Sequence, residues 1–181
     1  AGLGDGDGVG KGVVTPGQDA AYMKVVESGD TATAQKAVDQ AAKEAGYNSA
    51  KVYHVTNEKF NKFNPDKAAM GGVFWFTETE AKVRGNDTGA GLYPGKEKVV
   101  MEVYLKVNNP AGWAEYEKLG LGEIERLGFD SIKLDDDWII FNPDQVKSSL
   151  PTTYDDGGNV IPLSKRFGGG DDIRGSIKES D

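Results

Sequence analysis

The run Val99 to Val107 alternates so strictly that it leaves little choice of structure. Val99, Met101, Val103, Leu105 and Val107 fall on one side of an extended backbone, and Glu102, Tyr104 and Lys106 fall on the other. This is the period-two pattern of a strand with one face on a core. Asn108-Asn109-Pro110 stops it, because proline brings no N–H to a ladder. A strand needs partners, and the chain supplies them. Val52-Tyr53-His54-Val55-Thr56 is a short β-branched and aromatic run, and Gly71-Gly72-Val73-Phe74-Trp75-Phe76 is an apolar strand entered through two glycines. On the latter, Phe74 and Phe76 share a face and Trp75 points to the other. Ser131-Ile132-Lys133-Leu134 and Trp138-Ile139-Ile140-Phe141 form a further pair joined across the acidic corner Asp135-Asp136-Asp137.

Helices accompany these strands. Asp19 to Glu27 has helical spacing and is closed by Ser28-Gly29, after which Asp30 caps a second helix that runs through Ala45 and ends at Gly46. The two make a helical hairpin over residues 19–46. In its second helix Ala34, Val38, Ala41 and Ala45 form a thin apolar stripe suited to packing on a sheet. Thr77-Glu78-Thr79-Glu80 has capping-box spacing, so the aromatic strand is expected to run into a helix at Thr77. Trp113 to Leu127 reads as helical, interrupted near Gly120 and Gly122 and ended by Gly128. Asn57 to Ala69 reads as a loop pinned by Phe60 and Phe63. Arg84 to Lys98, rich in glycine, reads as a mobile surface loop of the kind that often carries function.

The ends differ in character. Residues 1–18, with glycine at every second position from Gly2 to Gly12, read as a flexible linker. They are no phosphate loop, since Asp5 and Gly12 stand where that motif needs a glycine and a Ser or Thr. Asp5 and Asp7 lack the remaining ligands of a calcium loop. The domain is expected over 19–150, with its core at 51–150. Residues 151–181 form an extension with a turn at Asp155-Asp156-Gly157-Gly158 and a marginal strand Asn159-Val160-Ile161, and the polar end after Phe167 is expected to be disordered.

Composition narrows the function classes. A chain of 181 residues with 21 basic and 29 acidic side chains carries a net charge of −8, which disfavours broad binding to nucleic acid or an anionic membrane. No apolar run approaches the roughly 20 residues of a membrane helix. Gly- and Asp-rich first residues do not make a signal peptide, and a start at Ala1 fits a piece of something longer. The absence of cysteine fits a cytoplasmic protein.

His54 is the only histidine. With no second histidine and no cysteine, neither a zinc site of the usual His/Cys kind nor a Cys-His nucleophilic pair is available, so no metal is expected and binding or orientation remains. A lone strand histidine is more often a hydrogen-bonded, partly buried side chain than a chemical one. Trp75 alone reads as a core residue and Asp135 to Asp137 as a solvated turn.

The ordered set of motifs changes that balance. The strand around His54, Gly71 to Thr77, Val103 to Pro110, Gly128-Phe129-Asp130-Ser131-Ile132 and Trp138 to Ser148 together resemble the ADP-ribosyltransferase-like domains of phage and mobile-element polyvalent proteins. These are distant relatives of poly-ADP-ribose polymerases and diphtheria-type toxins. The resemblance spans roughly residues 20 to 166. It implies an α+β fold, a split β-sandwich with an N-terminal helical hairpin and a cleft between two small sheets. It also implies transfer of ADP-ribose from NAD to a macromolecular acceptor, of which protein is the first choice, with release of nicotinamide.

The same resemblance assigns residues. His54 would hydrogen-bond ribose hydroxyls of NAD. Val55 stands where glycine is usual, its main chain facing the nicotinamide carboxamide, and Thr56 and Gly72 line the same substrate. Trp75 would pack on nicotinamide. The stacking tyrosine of the following helix is missing, leaving Tyr93 in the loop as a substitute. Asp137, where glutamate is usual, would stabilise the oxocarbenium-like transition state, with Asp135 and Asp136 as neighbouring candidates. Glu123-Ile124-Glu125 is similar to a paired-glutamate signature but reads better as a solvated helical face. A catalytically degenerate module that binds a nucleotide or protein, and an NAD glycohydrolase, are the alternatives. Such a domain would work in the cytoplasm, or in a host cell as part of a larger delivered protein.

Overall fold

The computed structural model describes residues 14–56, 74–81, 99–167 and 177–178. Helix α1, Pro16–Glu27, starts three residues before the expected boundary. The cause is local: the Thr15 side chain accepts from the Gln18 N–H at 3.1 Å, and the Gln18 side chain accepts from the Thr15 N–H at 2.8 Å. This reciprocal cap, with Pro16 at the first helical position, draws the last residues assigned to the linker into the helix. Helix α2, Thr31–Glu44, is capped by Asp30, which accepts from the Thr33 N–H at 3.1 Å. It ends at Gly46, whose φ of 94° favours glycine.

The strands are β1 Val52–Thr56, β2 Phe74–Thr77, β3 Val99–Leu105, β4 Pro110–Ala111, β5 Ser131–Leu134, β6 Asp137–Ile140, β7 Val146–Ser148 and β8 Ile177–Lys178. They form one curled, mixed sheet in the order β4-β5-β6-β2-β1-β3-β7, with β8 pairing on β3. Only β4–β5 is parallel. The chain is thus α+β. Among the described residues ladder lengths are uneven: five partner pairs join β1 to β3 and four join β2 to β6, but the single pair Tyr53↔Thr77 joins β1 to β2.

One face of the sheet closes on itself. Val52, Phe74, Phe76, Met101, Val103, Leu105, Trp138, Ile140 and Val146 meet in one apolar cluster drawn from strands on both sides of the β1–β2 junction. The opposite face is covered in two places. Short helices α3, Trp113–Lys118, and α4, Leu121–Arg126, accompany a second cluster of Ala111, Ile124, Ile132, Leu134, Ile139 and Phe141. The α1–α2 hairpin contributes Tyr22, Ala34, Val38 and Ala41 to a third cluster, while Ala42 and Tyr47 reach Tyr104 of β3. The expected polar side of β3 is therefore buried, Glu102 at 6% exposure and Tyr104 at 9%. Its polar groups are satisfied across the interface: the Tyr104 hydroxyl donates to Asp39 of α2, and Ser149 Oγ donates to Glu102 Oε1 at 2.9 Å.

Four segments add detail to the expected outline. The third strand ends at Leu105, ahead of Asn108-Asn109-Pro110 as expected, and Pro110–Ala111 adds a separate short strand that pairs with β5, where a two-residue edge has little need of a proline N–H. Pro151 to Phe167, expected as an extension, packs into the domain. There Leu163 joins the hairpin cluster, Ser164 N–H donates to Asp19, and the buried Arg166 donates to Tyr22 Oη at 3.3 Å and Ser148 O at 3.2 Å. Within the end expected to be disordered, Ile177–Lys178 pairs with Val100–Met101 of β3. The marginal strand at Asn159–Ile161 is reduced to an isolated bridge, Tyr154↔Val160.

The open end of the β5–β6 hairpin, away from its Asp135-Asp136 turn, is held from the chain that follows it. Pro143–Gln145 forms a 3-10 turn before β7. From it the Gln145 amide donates to Lys106 O at 2.9 Å and Asp130 O at 3.0 Å, while its oxygen accepts from the Asn142 N–H at 3.0 Å.

Candidate functional site

Strands β1, β2 and β6 bring His54, Trp75 and Asp137 to three neighbouring positions in the sheet. Ladder partners share a face and successive residues alternate. The row Tyr53↔Thr77↔Asp137 thus lies on the helix-covered face, as does Trp75, which pairs with Ile139. His54 lies on the other face, opposite Met101 and with its ring centroid 5.3 Å from that of Phe76. The three residues sit on adjacent strands, with His54 turned away from the other two.

His54 nevertheless reaches β2. Its Nδ1 is 2.7 Å from the main-chain oxygen of Trp75, so Nδ1 carries the proton and the neutral ring keeps its Nε2 as an acceptor. The residue retains some exposure, but protein around the ring pushes the imidazole below its ordinary range, against the opposing pull of the Trp75 carbonyl. The imidazole thus adds a side-chain bridge between β1 and β2 beside the Tyr53↔Thr77 ladder pair.

Trp75 lies half-buried under α3 and α4, in an edge-on contact with Tyr116 at 6.4 Å between centroids; Tyr116 in turn meets the exposed Trp113 at 5.9 Å. Its Nε1 is buried and has no hydrogen-bond acceptor among the described residues. Burying a donor in that state is costly. Val55 is half-buried on the same face as Trp75 and pairs with Val100. Thr56 pairs with Val99. Gly72, Tyr93 and the Arg84–Lys98 loop lie outside the described residues, as do Phe60 and Phe63.

The acidic corner separates its three aspartates. Asp135 (φ 57°) and Asp136 form the exposed two-residue turn, and Asp137 begins β6 half-buried, paired with Thr77. Of the three, Asp137 alone is a strand residue beside β2. Glu78, not expected as a site residue, sits against this corner. Its N–H donates to Asp136 O at 2.9 Å, and its carboxylate accepts from Lys133 Nζ at 2.8 Å and Trp138 Nε1 at 3.1 Å. Burial opposes ionisation of Glu78, but the Lys133 and Trp138 hydrogen bonds and the Lys133 charge outweigh it and hold the carboxyl below its usual range. A signal for it existed: on a strand, Glu78 continues the Phe74-Phe76 side and faces the row that carries Trp138.

Glu123 pairs with Arg126 on the exposed side of α4, with Arg126 Nε 2.9 Å from Glu123 Oε2, as a solvated helical face predicts. A cavity of about 350 Å³ is lined by Lys106, Asn108, Glu125, Phe129, Asp130, Phe141, Asn142 and Gln145, and holds none of the expected site residues. Among the described residues no group of three or more His, Asp or Glu is placed to hold a metal ion, and no helix is long and apolar enough to cross a membrane. Compared with protein-family models, with curated proteins and with solved structures, the chain matches none.

Proposed function

We propose that this chain is an NAD-dependent mono-ADP-ribosyltransferase domain with a split β-sandwich. The observation that carries the reading is the convergence of three motifs distant in sequence on three adjacent strands, β1, β2 and β6, at the junction where the ladder falls to the single pair Tyr53↔Thr77. In this reading the β1–β2 junction of the continuous sheet is where the cleft between two small sheets would lie. The donor set suits NAD: a neutral imidazole, an indole N–H without an acceptor and a half-buried carboxylate.

In this reading the bond between nicotinamide and its ribose breaks, and nicotinamide leaves with the electron pair. Positive charge then develops on the ribose C1′ and ring oxygen. Asp137 stabilises that charge electrostatically, and His54 positions the ribose. The nucleophile of a macromolecular acceptor, taken to be protein, forms the new bond at C1′ and gives up its proton to solvent. Val55, Thr56, Gly72, Trp75 and Tyr93 line the NAD site, and the parent is a larger phage or mobile-element protein acting in the cytoplasm or inside a host cell.

A second reading, a nucleotide- or protein-binding module without catalysis, draws support from the placement of His54 and Asp137 on opposite faces of the sheet. One experiment separates them. Nicotinamide release is measured for the wild type, His54→Ala and Asp137→Ala, together with thermal stabilisation by NAD. Turnover lost in both variants supports the transferase, unchanged turnover in both sinks it, and stabilisation without release favours the binding module. Labelling of an acceptor distinguishes transfer from plain NAD hydrolysis.

A further inference from the structure

Glu78 grips the β5–β6 corner at several points. Its N–H donates to Asp136 O at 2.9 Å, and its side chain takes the Trp138 indole N–H at 3.1 Å and the Lys133 ammonium at 2.8 Å. Lys133 Nζ also stands 4.7 Å from the centre of the Trp138 ring, close enough for a cation–π contact. The adjacent Thr79 Oγ1 lies 3.4 Å from Asp136 Oδ2, and Thr77 pairs with Asp137. Residues 136, 137 and 138 are thus each held by the β2 terminus, two of them by Glu78 itself.

The geometry points to Glu78 as the positioning residue for Asp137, acting through Trp138 and the Asp136 carbonyl; this rests on the transferase reading above. Glu78 projects to the face opposite Asp137 and does not touch the reacting atoms. What it fixes is the height and direction of the β6 start. The β5–β6 ladder pairs Leu134 with Asp137 across the two-residue turn, and Glu78 ties that corner to β2, since Lys133 and Trp138, one on each arm, share one of its carboxylate oxygens. A carboxylate that must sit against a developing charge loses its effect when displaced by a fraction of its own length.

The test is steady-state nicotinamide release by the whole chain, with thermal melting as a fold control. Glu78→Ala lowers kcat by about 10- to 100-fold with KM for NAD nearly unchanged, because alignment and not binding is lost. Glu78→Gln, whose amide oxygen still accepts from Trp138, recovers most of that rate and serves where the alanine variant does not fold. In an Asp137→Ala background, Glu78→Ala brings no further loss, since nothing remains to be aligned. A purely structural role for Glu78 would lower melting temperature without the kcat-only signature and would add to the Asp137 loss. Wild-type kcat in folded Glu78→Ala, or additive losses, would overturn the inference and leave the transferase reading standing. A wild type that releases no nicotinamide removes both.

Discussion

His54 Nδ1 lies 2.7 Å from the main-chain oxygen of Trp75, a side-chain bond spanning two strands that share only the Tyr53↔Thr77 ladder pair. The contact needs a proton on Nδ1, and the surrounding protein opposes a second one on the ring.

A pH dependence follows from that opposition. The folded pKa of His54 lies below its ordinary 6.5, so between those values the unfolded chain binds more protons and stability falls with falling pH. The contribution is complete above about 6.5 and is lost as pH drops through the folded value. With one imidazole in the chain, a single histidine proton resonance reports it directly. Chemical denaturation at pH 7.5 and 5.5 is expected to show lower stability at the acid end, and His54→Gln, which still donates to the Trp75 carbonyl, should flatten the difference. An imidazole titrating at or above 6.5 would refute it.

Trp75→Phe separates ligand binding from stability. Because Nε1 has no acceptor, its removal spares the cost of a buried unpaired donor, of order 1 kcal/mol or more, and offsets the lost ring area. Melting temperature should change little, while stabilisation by NAD weakens. A large drop in melting temperature would show that the indole nitrogen has a structural partner.

Gln145 offers a contrast, since both of its donors and its oxygen are engaged. Its amide donates to Lys106 O and Asp130 O and accepts from the Asn142 N–H. Gln145→Ala is expected to cost about 2 to 3 kcal/mol by denaturant titration, as several groups lose partners at once. Gln145→Glu should also destabilise, because a carboxylate cannot donate to two carbonyls. Near-wild-type stability in either would contradict the bracket.

Tyr47 and Tyr104 predict behaviour in alkali. Burial first, and then the Asp144 charge, pushes Tyr47 up to about 12; burial, then the bond to Asp39, raises Tyr104 as well. Their folded pKa values exceed the unfolded value of 10, so their contribution is present below pH 10 and lost as pH rises toward 12 and beyond. Absorbance titration at 295 nm should show tyrosines that ionise late, alongside falling stability. Ionisation of all seven tyrosines near pH 10 in folded protein would be the contrary result.

Much of the fold was legible. The alternation of Val99 to Val107, the stripe Ala34-Val38-Ala41 and the paired runs around Asp135-Asp136 each carry a complete local signal, and each becomes β3, the packed side of α2, and the β5–β6 hairpin. What composition misled was burial. Glu102 and Tyr104 look solvent-facing until the hairpin covers them and Asp39, Ser149 and Lys51 supply partners. Strands as short as Pro110–Ala111 and Ile177–Lys178 exist through their neighbours and have no period of their own. For the candidate site, strand membership was readable, but the face was not. Whether His54 and Asp137 point the same way depends on register across β2, which no local pattern encodes.

The uneven ladder gives the molecule a division of labour between its chain segments. One body contains β1, β3 and β7 with the helical hairpin and the tail through Arg166, so it is built from both ends of the described chain and Val99–Leu105. The other contains β2, β4, β5 and β6 with α3 and α4, all from the middle. Ladders stitch each body internally, and the two are joined by the Tyr53↔Thr77 pair, the His54–Trp75 and Gln145–Asp130 hydrogen bonds and the shared apolar layer of Val52, Met101 and Val103 with Phe74, Phe76 and Trp138. The seam beside His54 therefore draws on side chains as well as main chain, and a substitution in that layer is felt at once by segments far apart in the sequence.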